Sequence, residues 1–351
     1  MTEILISPDA LTATVAGILR GAGSEPREAD LVATNLVMAN LAGHDSHGVG
    51  MLPRYIDNVL IGDLPPNVHA RIEMDTGPLL RVNGNGGYGQ VIGMETMELA
   101  IARARQHGVC LASLTNSHHL GRIGHWAEQC IDAGLVSVHF VNVLPRPIVA
   151  PFAGRDGRFS TNPFCVGIPL PGQPPFVLDF ATSRIAAGKV RVAYNKGETL
   201  EPDTLLDAAG DPTTDPANLV VEPLGALLPF GGHKGYGMAM ACELMAGAVA
   251  GGRTLHQGGS GALKKQIINN MLSIVIDPRI YGTEDVCGEQ AAAFVAWVKA
   301  SPPRGEDGVL IAGDPERRTR AERIAHGIPV DANTWAEIRE AGARVNVAVP
   351  G

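Results

Sequence analysis

Two groups of histidines carry most of the chemistry this sequence offers. His44-Asp45-Ser46-His47 sets two imidazoles three residues apart, with a carboxylate and a hydroxyl between them. His118-His119, with His125 further on, forms the second group. Three readings fit the first. A metal site needs several imidazoles or carboxylates converging on one point. An acid/base site needs one imidazole that titrates near neutrality and a partner that orients it. A capped, hydrogen-bonded turn needs neither. The metal reading would make a hydrolase or lyase of His44, His47 and His119, yet neither H-E-x-x-H nor H-x-x-E-H occurs. No metal is therefore expected. Adjacent side chains point apart, so one of His118 and His119 is expected to reach a site. His125 falls on a helix and reads as structural.

Other polar segments could serve a ligand. Arg54 follows His47 by seven residues and can hold a carboxylate bidentately. Ser160-Thr161-Asn162-Pro163 precedes a strand, and Asp179-Phe180-Ala181-Thr182-Ser183 ends one. His233-Lys234-Gly235-Tyr236-Gly237 opens a helix, where a cation and small residues suit a phosphate or carboxylate. Gly84-Asn85-Gly86-Gly87-Tyr88-Gly89 matches G-x-G-x-x-G between a strand and a helix. That motif also requires an acidic residue at the end of the next strand to hold ribose hydroxyls. Here the strand ends in Ser113-Leu114-Thr115-Asn116. We read the glycines as a turn that does not touch a cofactor.

The elements that must position these groups follow from periodicity and caps. Ser7-Pro8-Asp9 starts a helix, with Leu11, Val15, Ile18 and Leu19 at helical spacing. Ser24-Glu25-Pro26 starts another, which ends at Gly43, just before the first histidine group. A short helix from Pro53 to Leu60 carries Arg54. Strands are expected at 79–82, 109–114, 135–143, 165–168, 176–180 and 271–276, with helices at 90–106, 124–133 and 234–250. Residues 197–222 lack periodicity and read as a long loop or flap. Helices near 288–300, 315–325 and 333–341 close the chain. We expect a helical domain of residues 1–75 plus 285–351, and an α/β domain of residues 76–284.

Composition narrows the class. With 45% hydrophobic and 18% charged residues the chain is globular, not disordered. A net charge of −8 without a basic run excludes a nucleic-acid footprint and a polybasic membrane surface. A small anionic substrate must therefore be drawn in by local groups. The apolar stretch 235–252 contains Glu243 and is too short for a membrane span. The first residues carry Glu3 and Asp9 without a basic segment, unlike a secretory signal. Cys110, Cys130, Cys165, Cys242 and Cys287 form no CxxC pair. A reducing cytoplasm is expected.

Taken in order, GHDSHG (43–48), NSHHLGRIG (116–124), VAPF (149–152), TNPF (161–164), LDFATS (178–183), Gly188-Lys189, TTDP (213–216) and HKGYG (233–237) form a specific string. It resembles the type-2 malate/L-lactate dehydrogenase family over nearly the whole chain. The resemblance implies an α/β (α+β) fold in which a mixed-sheet, non-Rossmann NAD(P)-binding domain is inserted between N- and C-terminal helical segments. It also implies a homodimer with active sites near the subunit interface. The reaction implied is reversible hydride transfer between NAD(P)H and a 2-oxo or 2-hydroxy acid such as malate, lactate or a hydroxyphenylpyruvate-like acid. The family's proton donor maps onto His47 and its second histidine onto His119. Asp45 is expected to orient an imidazole, and Arg54 to bind the substrate carboxylate. Cofactor contacts map onto His47, Gly121, Arg122, Ile123, Val177, Leu178, Asp179, Phe180, Ala181, His233, Lys234, Asn269, Gly313, Asp314, Pro315 and Glu316. Asp179 could hold the ribose hydroxyls of NAD, whereas Arg122, Arg317 or Arg318 could meet the 2′-phosphate of NADP. Leu144-Pro145-Arg146 departs from the glycine-containing turn expected before VAPF.

Overall fold

The computed structural model describes residues 3–258, 266–282 and 284–349. The parts of the two expected domains at 1–2, 259–265, 283 and 350–351 lie outside the described residues.

The N-terminal segment runs through β1 (Glu3–Ile6), α1 (Pro8–Gly21), α2 (Pro26–Leu41), a 3-10 turn at Asp45–His47 and α3 (Leu52–Leu60). Ser7 caps α1, accepting from the Ala10 amide and leaving Leu11, Val15 and Ile18 on the buried side. The sheet follows: β2 (Arg71–Asp75), β3 (Leu79–Asn83), α4 (Gly89–His107), β4 (Val109–Ser117), α5 (Gly124–Asp132), β5 (Val136–Leu144), β6 (Phe164–Ile168) and β7 (Phe176–Phe180). After it come α6 (Ala187–Lys196), β8 (Leu205–Leu206), β9 (Pro212–Thr213), α7 (Ala217–Val220), β10 (Ala226–Leu227) and α8 (His233–Cys242). The helix continues without a break as a π-helical stretch, Glu243–Val249. The chain ends with α9 (Leu255–Gly258), β11 (Ile268–Ile276), α10 (Glu284–Lys299), α11 (Asp314–His326), β12 (Ile328–Asp331) and α12 (Ala332–Arg344).

Seven strands form one mixed sheet in the order β2-β3-β4-β11-β5-β6-β7. Only β3 and β4 pair in parallel; every other neighbouring pair is antiparallel. This is no Rossmann sheet, which is built from parallel strands joined by helical crossovers. The late strand β11 lies at the centre between β4 and β5. It is buried along most of its length because helices cover it: α4 and the π-helical stretch both pack on it.

A separate apolar cluster joins Leu11, Ile18, Leu36 and Tyr55 to Ile328 and Ile338, so the two ends of the chain share one core. The antiparallel pairing of β1 with β12 ties them further. The helical reading of the first seventy residues missed β1. The expected helical domain also needs correction at α10. Among the described residues none of α10 enters that cluster, and Phe294 and Trp297 face solvent.

Residues 197–222 are not an unstructured flap. They hold β8, β9 and α7, and with β10 make a three-stranded sheet ordered β10-β8-β9. Leu205, Leu219 and Leu227 bury against Val149 and Val190. Strands of two residues are too short to show a period.

Candidate active site

The first histidine group sits where α2 ends. Gly43 turns the chain at φ +80°. Asn40, in the last turn of α2, donates to Asp45 Oδ1 at 2.6 Å and accepts from the Val49 amide at 2.8 Å. Gly48 allows this approach, since a Cβ there would lie 2.1 Å from Asn40 Oδ1. Arg323 of α11 grips Asp45 at 2.6 and 3.0 Å and reaches the Asn40 carbonyl at 2.5 Å. Asp45 thus does not orient an imidazole as expected, because the 3-10 turn sends its carboxylate to Arg323. His44 Nε2 lies 3.2 Å from Glu316 Oε1, and His47 Nδ1 lies 3.0 Å from Ser46 Oγ.

The second group leaves the end of β4 on a bed of glycines. The Gly84 amide donates to Thr115, the Gly86 amide to Asn116, and the His118 amide back to Gly87. A Cβ at Gly89 would lie 2.1 Å from the His119 carbonyl oxygen. The G-x-G-x-x-G turn therefore packs against the histidine segment, and glycine is needed for that contact. His118 is buried and accepts from Asn58 Nδ2 at 2.9 Å. His119 Nδ1 meets Tyr55 Oη at 2.7 Å, and Gln90 Nε2 donates to the same oxygen at 2.9 Å. The Leu120 amide is held by Asn269 Oδ1 at 2.8 Å.

These two segments bring the rings of His47 and His119 together, with centroids 5.6 Å apart and planes 17° from parallel. Burial, then the charges of His44 and Arg122, push the His47 pKa down to about 4. Burial and neighbouring His47, His118 and Arg54 hold His119 well below its ordinary value. Both imidazoles are thus neutral at pH 7 in the free protein. Arg54, on α3 beside Tyr55, is half-buried, and desolvation followed by the Arg146 guanidinium lowers its pKa. His44 turns away to Glu316, and among the described residues no three His, Cys, Asp or Glu side chains converge as a metal site would require. His125 packs its ring edge-on to Trp126.

The positions expected to meet a cofactor fall into two parts. Gly121 (φ +70°), Arg122 and Ile123 lead into α5, beside β7 with Val177, Leu178, Asp179 and Phe180; Ala181 follows that strand. Asp179 accepts from the Gly124 amide at 2.7 Å. The Val177 amide bonds to the Ala312 carbonyl, which joins β7 to Gly313 and the start of α11, with Asp314, Pro315 and Glu316. A small pocket lined by Ala42, Glu128, Val177, Gly313, Glu316 and Arg320 lies there. Glu316 Oε2 is buried there without a partner. The second part is the start of α8, where His233 and Lys234 are exposed. Phe180 packs on Phe230, which brings this helix to the end of β7. Two of the expected contacts are also tied into the scaffold. Arg122 is bound bidentately by Glu128 at 2.9 Å, and Asn269 is buried between Leu120 and the Asn142 carbonyl.

A family model described as malate/L-lactate dehydrogenase matches residues 6–339. The chain belongs to the malate/L-lactate dehydrogenase family. Hydroxycarboxylate dehydrogenase B of Escherichia coli is 48% identical over 333 residues, covering 95% of this chain and 92% of that protein. L-lactate dehydrogenase of Cupriavidus necator is 40% identical, with 92% of each covered. The solved structure of sulfolactate dehydrogenase from Methanocaldococcus jannaschii superposes with a TM-score of 0.87 at 28% identity, covering 98% of each chain. The family members thus include dehydrogenases of hydroxycarboxylates, and this chain shares their α/β fold with its mixed sheet.

The sequence reading passed over Tyr55, Asn58, Gln90, Asn40 and Arg323. Gln90 gave a signal as a polar residue at the start of an apolar helix. Asn40 gave one as a polar residue near the end of another.

Proposed function

We propose that this protein is a 2-hydroxycarboxylate dehydrogenase that interconverts a 2-oxo acid and its 2-hydroxy acid with a nicotinamide cofactor. The stacked His47–His119 pair in a chain of this family carries the reading. The small pocket at Gly313 suits one ribose of a nicotinamide dinucleotide, because Glu316 Oε2 is an orphaned buried acceptor for a ribose hydroxyl. Three arginines that could meet a 2′-phosphate are already engaged: Arg122 by Glu128, Arg317 by Asp314 and the Pro175 carbonyl, Arg318 by Asp307. Arg320, which also lines the pocket, leans on Met38 Sδ. On the engagement of the first three we assign NAD as the preferred partner, and the NADH-against-NADPH comparison below tests it. When bound, the nicotinamide supplies or receives the hydride.

The chain's own residues handle charge and protons. In oxidation, neutral His47 is ready to take the hydroxyl proton as the carbonyl forms. In reduction, the oxygen gains negative charge and His47 returns the proton. An anionic substrate beside the ring raises its proton affinity toward neutrality. Arg54 holds the substrate carboxylate and excludes uncharged ketones. Gly121, Ile123, Val177–Ala181, His233 and Gly313–Glu316 border the cofactor. We extend the reading to a homodimer, for which exposed Phe294 and Trp297 offer apolar surface. The division into domains 1–75 plus 285–351 and 76–284 is likewise proposed, on the strength of the separate cores and with α10 set apart.

The test is the absorbance of NADH and of NADPH with a panel of 2-oxo acids. Oxidation of NADH by at least one acid, faster than of NADPH, is the expected outcome. No turnover with any acid and either cofactor would overturn the assignment.

A further inference from the structure

His47 and His119 stack, but what sits on their far nitrogens differs. Tyr55 Oη accepts from Gln90 Nε2 at 2.9 Å and lies 2.7 Å from His119 Nδ1. A phenol has one proton to give. With Gln90 already donating to its oxygen, that proton goes to His119 Nδ1. Nδ1 is then an acceptor, and the proton of the neutral ring stands on Nε2. Tyr55 is fully buried and Gln90 is 2% exposed, so water does not compete for these bonds. Burial also raises the Tyr55 pKa, keeping the hydroxyl protonated. A second proton at Nδ1 would leave the Tyr55 hydroxyl between two donors with no acceptor.

His47 is under no such constraint. Among the described residues its Nδ1 meets only the Ser46 hydroxyl, which rotates and both donates and accepts. Two cations 5.6 Å apart would repel, and Arg54 and His118 already act on His119 in the same direction. One ring must stay neutral, and the partners select which.

We propose that Gln90 and Tyr55 are positioning residues that lock His119 in its Nε2–H form, so that His119 is a neutral hydrogen-bond donor to the substrate oxygen while His47 carries the mobile proton. The substrate half of this rests on the reaction proposed above. The lock does not, because it exists in the free protein.

The experiment is 15N NMR of histidine-labelled free protein, with His119 assigned through His119→Asn, alongside kinetics of Tyr55→Phe and Gln90→Leu. Wild type is expected to show His119 as a single Nε2–H form. Tyr55→Phe keeps the ring in the core and removes the hydroxyl. It should give a mixture of tautomers and lower kcat about 10- to 100-fold, the usual loss when an outer partner that orients a reactive group is removed. KM should change little. Gln90→Leu should also mix the tautomers, because Tyr55 can then accept from His119, and it carries the test if Tyr55→Phe does not fold. An Nδ1–H form in wild type, or variants with unchanged tautomer and kcat, would overturn the lock. Wild type that turns over no 2-oxo acid would remove the proposed reaction and leave the tautomer result standing.

Discussion

The turn that carries His44 and His47 is held by side chains reaching in from the far end of the chain, whereas the segment that carries His118 and His119 is held largely by backbone of the glycine turn, with Asn58 and Tyr55 on its two rings. Arg323 and Glu316, both on α11, fix the first turn through Asp45 and His44. The glycine turn fixes the second, by amide-to-carbonyl bonds and by the absence of side chains at Gly84 and Gly89. In each pair one ring is given to the scaffold (His44 to Glu316, His118 to Asn58) and the other stacks on its counterpart across the two segments. The difference sets their chemistry. A turn held by long side chains, with a rotating hydroxyl on the ring, tolerates a change of charge. A segment sealed against backbone in a buried core does not.

If that contrast is right, the largest effect belongs to the ring that changes charge. His47→Ala should lower kcat by roughly 10²–10⁴, with circular dichroism and thermal midpoint near wild type, since His47 belongs to none of the apolar core clusters. A folded variant with wild-type kcat would remove His47 as the proton carrier.

Arg54 comes next. It lies on α3 between the two segments, and its charge bears on both His118 and His119. Arg54→Ala should lower kcat/KM for a 2-oxo acid by an amount on the order of 2–5 kcal/mol, the loss expected from breaking a desolvated charge-assisted pair. Arg54→Lys should recover only part, because an ammonium lacks the planar fork. The uncharged amide of the same acid should show little loss. Equal losses on acid and amide would mean that Arg54 does not read the carboxylate and would turn attention to Arg146.

A smaller effect should appear in stability. Burial pushes the pKa of His118 down to about 3. Its folded value thus lies below the ordinary 6.5, and the unfolded chain binds more protons in acid. Its contribution to stability is intact above pH 6.5 and is lost as pH falls toward 3. Urea unfolding followed between pH 7 and 5 should show stability falling with acid. His118→Asn should reduce that slope by about one proton. An unchanged slope would show that His118 is not held neutral, and the contrast between a charge-tolerant and a sealed pair would weaken.

Much of this arrangement was legible in the sequence, for reasons that are local. The cap at Ser7, the helix that stops at Gly43, the strand running into His118 and the failed acidic partner of the glycine motif all depend on near neighbours. What was not legible depends on distance or brevity. β1 is four residues long, and its partner lies at the other end of the chain, Glu3 opposite Asp331. Asp45 lies between two imidazoles in sequence, next to His44 and two residues before His47, yet its guanidinium partner is 278 residues away. Tyr55 reads as one more core aromatic. Only the fold sets its hydroxyl between Gln90 and His119. The strands β8 and β9 are each two residues long, too short to alternate.

The glycine turn supplies the finest test of the comparison, because it separates a bed for histidines from a loop for phosphates. Gly86 is the position to probe. Its φ is +74°, and nothing comes closer to a built Cβ than Gln266 at 3.9 Å, so alanine fits in space and is penalised only by backbone conformation. That penalty is roughly 1–2 kcal/mol. Gly86→Ala should therefore lower the thermal midpoint by about 1–3 °C while leaving the KM for the nicotinamide cofactor unchanged. If the glycines instead cradled a pyrophosphate, a methyl group beside the Gly86 amide would obstruct the ligand. The cofactor KM would then rise severalfold or more. The missing carboxylate after β4 and the amide bonds from the turn to Thr115 and Asn116 both favour the first outcome. A rise in cofactor KM at unchanged stability would make the turn a phosphate loop after all.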